Sequence, residues 1–216
     1  PRSMQRLQLQ SLVYSLIVLL FVSCKSYQLA EAKPVQSSEK TVENLYFSSG
    51  EDYVYKCQMD IYKNHVSGIL IIKKLNETTH RVAMTSDFGN KLIDFEISEN
   101  DFKLNYVLPD LDKKMVISFL RNDFRELLKR KYPVNESFEN DNSKIYLSKT
   151  DHKAYYLFFN KENGLLKEIV YTKNNKEKID FTFEAKKHIF ADSLNLQHKD
   201  FKINIKLFQI TETEQN

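Results

Sequence analysis

The residues best suited to covalent or metal chemistry in this sequence are its 2 cysteines and 5 histidines. The histidines are His65, His80, His152, His188 and His198. They do not follow one another at the spacings that metal ligands usually have. No cysteine with a histidine, no nucleophile elbow and no pair of carboxylates forms a recognisable catalytic pattern. The sequence therefore predicts a protein that is not an enzyme and that needs no metal or other cofactor.

Cys24 stands directly after an apolar run near the N-terminus. The run from Leu12 to Val22 is about half of the roughly 20 residues that a membrane-spanning helix needs. It follows a segment that carries Arg2 and Arg6 and no acidic residue, which is the order found in a secretory signal. The run ends Phe-Val-Ser-Cys and resembles the lipobox of bacterial lipoproteins, in which signal peptidase II cuts before the cysteine and lipid is attached to its sulfur. The alternative is an uncleaved signal with an incidental cysteine.

The lipobox interpretation divides the chain into three parts. Residues 1–23 are the expected signal peptide, and residues 24–44 are polar and lack an apolar period, as a flexible tether does. Residues 45–214 are then the single folded domain. Because Lys25 follows the cysteine, where an aspartate retains enterobacterial lipoproteins in the inner membrane, the resemblance implies delivery to the outer membrane. The lack of an acidic cluster just after the cysteine implies a domain that faces the periplasm.

The charge of the chain argues against a nucleic-acid partner. It has 32 lysines and arginines against 29 aspartates and glutamates, and loss of residues 1–23 would remove two arginines and no acid. The remaining lysines alternate with acidic residues along the sequence and form no basic block. The expected partner is therefore the membrane that holds the lipid anchor, and we expect a monomer.

Alternating apolar and polar residues dominate the folded part. The stretch from Tyr53 to Ile61 is the clearest case, because every second side chain is apolar. Similar short stretches follow, separated by turn-forming pairs such as Asn163-Gly164 and Asn174-Asn175. Short gaps between consecutive strands indicate hairpins, and hairpins build an antiparallel sheet. We expect about ten strands.

The segment 110–133 breaks this pattern with helical spacing and ends at a proline. Its apolar stripe moves about a quarter-turn around the helix axis between Phe119 and Phe124. A capping residue at Asn122, or at Asp123 with Glu126 three residues later as in a capping box, would allow a second helix to start there. The pattern therefore predicts two short helices with a bend near Asn122. The expected fold is α+β, mainly antiparallel β, in which a curled, half-open barrel of about ten strands carries a short helical lid.

The chain from Tyr53 to Ile210 resembles the LolA/LolB group of lipoprotein carriers and outer-membrane receptors, in the style of small lipoproteins of Bacteroidota. The resemblance lies in the lipobox, the Ser67-Gly68 pair in the second strand, the loop Asp-Phe-Gly-Asn at 87–90 and the leucine-bearing helical segment. In that family the loop is a Pro-Leu-Gly turn with an exposed leucine, and Phe88 stands in its place. The tryptophans of the family signatures are missing, because this chain has none.

The resemblance implies an outer-membrane-anchored periplasmic protein with an apolar cavity that receives, holds or passes lipoproteins or other acylated ligands. Its expected partners are acylated lipoproteins or a periplasmic carrier. Phe88 would contact lipid or the membrane, and helical residues would form the lid or line the cavity. These candidate residues are Met115, Phe119, Leu120 and Phe124.

Two alternatives stay open at the level of sequence. The 12 tyrosines and 15 phenylalanines could fill the barrel instead of lining a cavity, which would make the protein a tethered scaffold without a ligand. Phe88 could fold back over the edge of the barrel instead of facing solvent. The free volume inside the barrel and the exposure of Phe88 distinguish these alternatives.

Overall fold

A computed structural model describes residues 26–210 of the chain, so Cys24 and the predicted signal peptide lie outside the described residues. None of the helices in the described part is long and apolar enough to cross a membrane. The described part contains short and long strands, a 3₁₀ turn at Pro109–Leu111 and one α-helix, α1, at Lys114–Leu127. The strands are β1 Lys33–Pro34, β2 Thr41–Glu43, β3 Asp52–Ile61, β4 Asn64–Lys74, β5 His80–Thr85, β6 Lys91–Ile97, β7 Phe102–Val107, β8 Lys131–Pro133, β9 Glu136–Glu139, β10 Ser143–Lys149, β11 Lys153–Asn160, β12 Leu166–Lys173, β13 Lys176–Glu184, β14 Ser193–His198 and β15 Ile203–Gln209.

All but two of these strands form one sheet of 13 strands, in the order β1-β9-β10-β11-β12-β13-β14-β15-β3-β4-β5-β6-β7. Every pairing in it is antiparallel, and β2 pairs with β8 in a separate ribbon. No pairing joins β1 to β7 within residues 26–210, so the sheet is curled and open. The antiparallel class is as predicted, whereas the strand count exceeds ten because β1, β2, β8 and β9 are too short to show an alternation.

The contacts of helix α1 show that the sheet is curled. Its residues contact β6, β14 and β11, through a Phe95–Phe124 ring pair, an Asp123–His198 bond and a bond from Tyr155. Eight interstrand steps separate β11 from β6 in the sheet order, which would be roughly 38 Å in a flat sheet. A single helix reaches both strands only because the sheet wraps around it.

The structure corrects the prediction of two helices with a bend. α1 is continuous from Lys114 to Leu127, and Asn122 lies exposed in its middle with its side chain directed to Ser118 (3.4 Å). The buried residues Val116, Leu120 and Phe124 follow each other at intervals of four, so the drifting stripe is a slanted row on one helix. The slant matches a helix that crosses the strands of a twisted sheet.

Residues 26–44, most of the tether expected at 24–44, pair with other parts of the chain, and residues 24 and 25 lie outside the described residues. β1 pairs with β9, and β2 pairs with β8. The backbone N–H groups of Tyr27 and Val35 donate to the carbonyls of Asn175 and Ser137, each at 2.8–2.9 Å. This segment covers a small apolar cluster on the outer face of the sheet. That cluster consists of Ile145, Phe158 and Val170, with Tyr27, Leu29, Ala32, Phe138 and Tyr156 packed against it. Sequence periodicity cannot show such docking, because it depends on one contact partner more than 100 residues away.

Candidate functional site

Phe88 lies at the tip of the β5–β6 hairpin and is 93% exposed. The turn is closed by two backbone bonds, from Ser86 N–H to the Asn90 carbonyl (2.8 Å) and from Gly89 N–H to the Ser86 carbonyl (2.9 Å). Gly89 has φ of 82°, a left-handed conformation that glycine adopts without steric cost. The structure therefore places the ring in solvent and not over the barrel edge.

The hairpin tip is braced from the two strands beside it. The Asp87 carboxylate accepts hydrogen bonds from Lys56 Nζ on β3 and from Ser67 Oγ on β4, the latter at 3.3 Å. The hydrogen bond from Lys56 lowers the pKa of the Asp87 carboxyl below its ordinary value, and the Ser67 bond adds to this effect. The neighbour of Phe88 is thus held as a carboxylate, and the exposed ring stands on a tied turn.

Gly68, next to Ser67, allows this arrangement. A Cβ atom at Gly68 would lie 1.8 Å from the backbone oxygen of Thr85 and 2.8 Å from its carbonyl carbon. The pairing of β5 with β6 shifts register at that point, between Met84 and Thr85. The Ser67-Gly68 pair and the 87–90 loop, which are 20 residues apart in sequence, are therefore parts of one structure.

The four predicted lid residues divide into two groups. Met115 is 45% exposed and Phe119 is half-buried, with its ring 5.1 Å from that of Phe201 in the β14–β15 turn. Leu120 and Phe124 are buried in the main core. The helix therefore turns its first half partly towards solvent and fills the barrel interior with its second half.

Two buried acids on α1, Asp123 and Glu126, hold it in place, whereas the sequence pattern indicated them only as the cap of a second helix. Both carboxylate oxygens of Asp123 lie 2.9 Å from His198 Nε2. Glu126 accepts from Lys153 Nζ (2.8 Å) and from the Tyr155 hydroxyl (2.7 Å). Burial raises the pKa of the Asp123 carboxyl above its ordinary value, and the His198 bond offsets part of this shift. The one sequence feature that could have indicated these contacts is the presence of an acidic residue on the face of the helix that its periodicity predicts to be buried.

The interior of the described domain is filled by side chains. The largest of those less than 2% exposed are Tyr53, Tyr55, Tyr132, Phe47, Phe95, Phe124, Phe181, Met59, Ile61, Leu70, Ile72 and Met84. Two open grooves lie elsewhere, of about 330 and about 570 Å³. The smaller is bordered by Val42, Tyr146 and Phe159 beside Glu43 and Lys144, and the larger follows residues 35–39 and 134–137. Neither is the enclosed apolar cavity that the resemblance implied.

Glu168 and Asp180 form a second group of partly buried acids, on the outer face under Tyr27. Burial raises the pKa of Glu168 to about 7 from 4.5, and the neighbouring Asp180 carboxylate adds to the shift. Burial also raises the pKa of Asp180, whose nearest cation is Lys199 at 3.6 Å. Both acids are therefore easier to protonate in the folded protein than in the unfolded chain.

The raised pKa of Glu168 predicts that the protein loses stability as the pH rises. Protonated Glu168 contributes fully to the free energy of unfolding below the pKa of the unfolded chain, near 4.5. This contribution is lost as the pH rises through the pKa of the folded protein, about 7. Because the side chain is partly exposed, we expect a decrease on the order of 1 kcal/mol in the free energy of unfolding. Urea unfolding of the wild type and Glu168→Gln across this range measures it. In Glu168→Gln the free energy of unfolding should no longer depend on pH in this range, whereas the control Glu162→Gln, at an exposed site, should keep the dependence. The same change with pH in the wild type and both variants would contradict the assignment to Glu168.

Neither a family model nor a curated protein matches the sequence. Among solved structures, a LolA superfamily protein from Nitrosomonas europaea matches with a TM-score of 0.51 and 6% identity, over 78% of this chain and 87% of the other. A DUF1329 family protein from Desulfovibrio piger has a TM-score of 0.43 and 9% identity, over 76% and 86%. An outer membrane lipoprotein-sorting protein domain from Vibrio parahaemolyticus has a TM-score of 0.43 and 6% identity, over 76% of this chain and 85% of the other. At these identities the likeness concerns the fold alone, and the described domain has a LolA-like fold.

Proposed function

We propose that this protein is an outer-membrane-anchored periplasmic lipoprotein that contacts acyl chains through Phe88 while it receives or passes lipoproteins or other acylated ligands, as a LolB-like receptor does. Acylated Cys24 would be the anchor. The role is one of binding and transfer, without catalysis and without a cofactor.

The observation that carries this proposal is the exposure of Phe88 on a braced turn. A phenyl ring that is 93% exposed gains nothing from folding, because burial of a side chain of this size contributes about 1.5–3 kcal/mol only when water is removed. The Lys56–Asp87–Ser67 contacts nevertheless hold the turn that presents it. This arrangement suits a ring that becomes buried in a partner or a bilayer.

The filled interior supports a second candidate function, that of a tethered scaffold without a ligand. The core is continuous from the strands to the second half of α1, and neither of the two grooves described above is an enclosed apolar cavity. In the first proposal the acyl chain therefore meets the surface around Phe88, or α1 moves to admit it. Mass spectrometry of lipids that co-purify with the protein separates the two functions, since a scaffold would carry none.

The substitution Phe88→Ala tests the first proposal. The melting temperature should stay almost unchanged, because the ring makes few contacts. Insertion into phospholipid vesicles and transfer of an acylated lipoprotein should fall about tenfold or more, the equivalent of losing a buried phenyl ring. Thermal unfolding and a vesicle transfer assay provide the two measurements.

Leu75→Ala is the matched control for Phe88→Ala. Leu75 is 45% exposed in the β4–β5 turn, at the opposite end of β5 from Phe88, and its loss should leave transfer intact. A large loss of stability in Phe88→Ala with transfer unchanged would contradict the proposal, since the ring would then be a packing residue.

A further inference from the structure

Four of the turns that connect strands lie at the same end of the strands, and two of them are adjacent. Ile61 of β3 pairs with both Ile203 of β15 and Asn64 of β4, so the turns 62–63 and 199–202 are adjacent. The N–H of Tyr62 donates to the carbonyl of Lys202 at 2.8 Å. By the same strand register, the turns 86–90 and 174–175 point to this edge. We call these four turns, with their flanking residues, the turn edge.

The N-terminal segment of the described chain is fixed at the turn edge. The Asn175 carbonyl accepts from Tyr27 N–H at 2.8 Å and from Ser26 Oγ at 3.4 Å. The Tyr27 ring packs against Tyr156 with ring centroids 4.7 Å apart. Cys24 precedes Ser26 by two residues, and two residues span at most about 7 Å. An acyl group on Cys24 would therefore enter a membrane next to the turn edge, and not at the end of a long tether.

The side chains of the turn edge fit a membrane surface. Tyr62, Phe88 and Phe201 are 41%, 93% and 46% exposed, and aromatic side chains favour the interface between lipid and water. Phe88 is the most exposed large apolar side chain of the described residues.

The charge of the turn edge favours an anionic surface. Two of its acids, Asp87 and Asp200, form ion pairs with Lys56 and Lys178, and a third, Asp60, lies 2.6 Å from His65. One exposed acid, Asp151, lies in the adjoining turn, whose His152 carbonyl accepts from Asn174 N–H. In contrast, four exposed lysines have no carboxylate partner within the described part of the chain: Lys63, Lys173, Lys176 and Lys202. Lys173 and Lys176 even lie opposite each other in the β12–β13 register, which is unfavourable in the absence of an anionic partner.

We propose that the turn edge docks on the bilayer that holds the Cys24 anchor, with Tyr62, Phe88 and Phe201 at the interface and the four lysines on anionic phospholipid headgroups. This inference rests on the acylation of Cys24 in the proposed function. It adds an orientation to that function, because the barrel axis and α1 then have a fixed relation to the membrane.

A fluorescent label at each end of the barrel tests the orientation. The acylated full-length protein is placed in vesicles of phosphatidylethanolamine and phosphatidylglycerol with brominated acyl chains. An environment-sensitive dye is attached at Asn64→Cys on the turn edge or at Lys187→Cys in the loop between β13 and β14, at the other edge. Cys57 is buried and does not compete for the dye. We expect bromine to quench the dye at 64 and to leave the dye at 187 bright.

Charge reversal tests the role of the lysines in the same assay. Each lysine near an anionic surface strengthens binding by a factor of about five. The double variant Lys63→Glu/Lys202→Glu should therefore lower the ratio of docked to undocked protein by ~25-fold or more. Lys186→Glu with Lys187→Glu, which changes the same charge in the β13–β14 loop, should leave it unchanged. Equal quenching of the two dyes, or equal effects of the two double variants, would overturn the proposal.

The mass of the purified protein separates this inference from the proposed function. An acylated protein whose two dyes are quenched equally would keep the anchor and refute the docking edge. A protein without acyl chains would refute the anchor and, with it, the docking edge. Docking that persists in Phe88→Ala together with loss of lipoprotein transfer would support the orientation and leave Phe88 with its role in transfer.

Discussion

Phe124→Ala should lower the free energy of unfolding by about 3–5 kcal/mol, the cost of removing a large aromatic side chain from a packed core. Phe124 is 1% exposed, and its ring lies 5.4 Å from that of Phe95, close to perpendicular at 71°. The substitution would remove the ring contact between Phe124 of α1 and Phe95 of β6. Urea unfolding followed by circular dichroism measures the change.

Met115→Ala on the same helix is the matched control. Its side chain is 45% exposed, so its loss should change stability by no more than about 0.5 kcal/mol. If Phe124→Ala cost less than about 1 kcal/mol, the space around Phe124 would have to be empty or able to collapse, and the cavity implied by the family resemblance would regain support over the filled interior.

Gly68→Ala should cost about 3 kcal/mol or more, at or above the upper end of the range for overpacking. The added methyl group would meet the Thr85 backbone oxygen at 1.8 Å, and the obstacle is backbone, which cannot rotate away as a side chain can. β5 would have to move away from β4, and the brace on Asp87 would weaken with it. We therefore expect Gly68→Ala to reduce lipoprotein transfer as well as thermal stability.

Gly50→Ala is the control for the loss of glycine itself. A Cβ atom at Gly50 would have no neighbour within 4 Å, so the substitution should be close to neutral. If Gly68→Ala had the same melting temperature as Gly50→Ala and the wild type, the steric account of the β4–β5 contact would be wrong. Loss of transfer at unchanged stability would instead indicate a direct role for Gly68 in binding.

Local patterns in the sequence determined the antiparallel class and the turn chemistry. The alternation from Tyr53 to Ile61 became β3, in which every second side chain is buried: Tyr53, Tyr55, Cys57, Met59 and Ile61. Asn174 and Asn175 adopt left-handed φ values of 52° and 61°, as expected of a tight hairpin. The strands on either side placed Phe88 at a turn, whereas its exposure, which the sequence left open, was decided by the structure. These features depend on neighbours within a few residues, which is why the sequence revealed them.

The tertiary structure alone decided which distant residues meet. The docking of Tyr27 on Asn175, the contact of Glu126 with Tyr155 and the filling of the barrel by side chains all join parts of the chain that no periodicity links. The path of α1 was misjudged for the same reason, because a drifting stripe reads as a bend until the twisted sheet beneath it is known. Volume and long-range pairing are properties of the packed chain, so the free space inside the barrel and the position of the N-terminal segment could be known only from the fold.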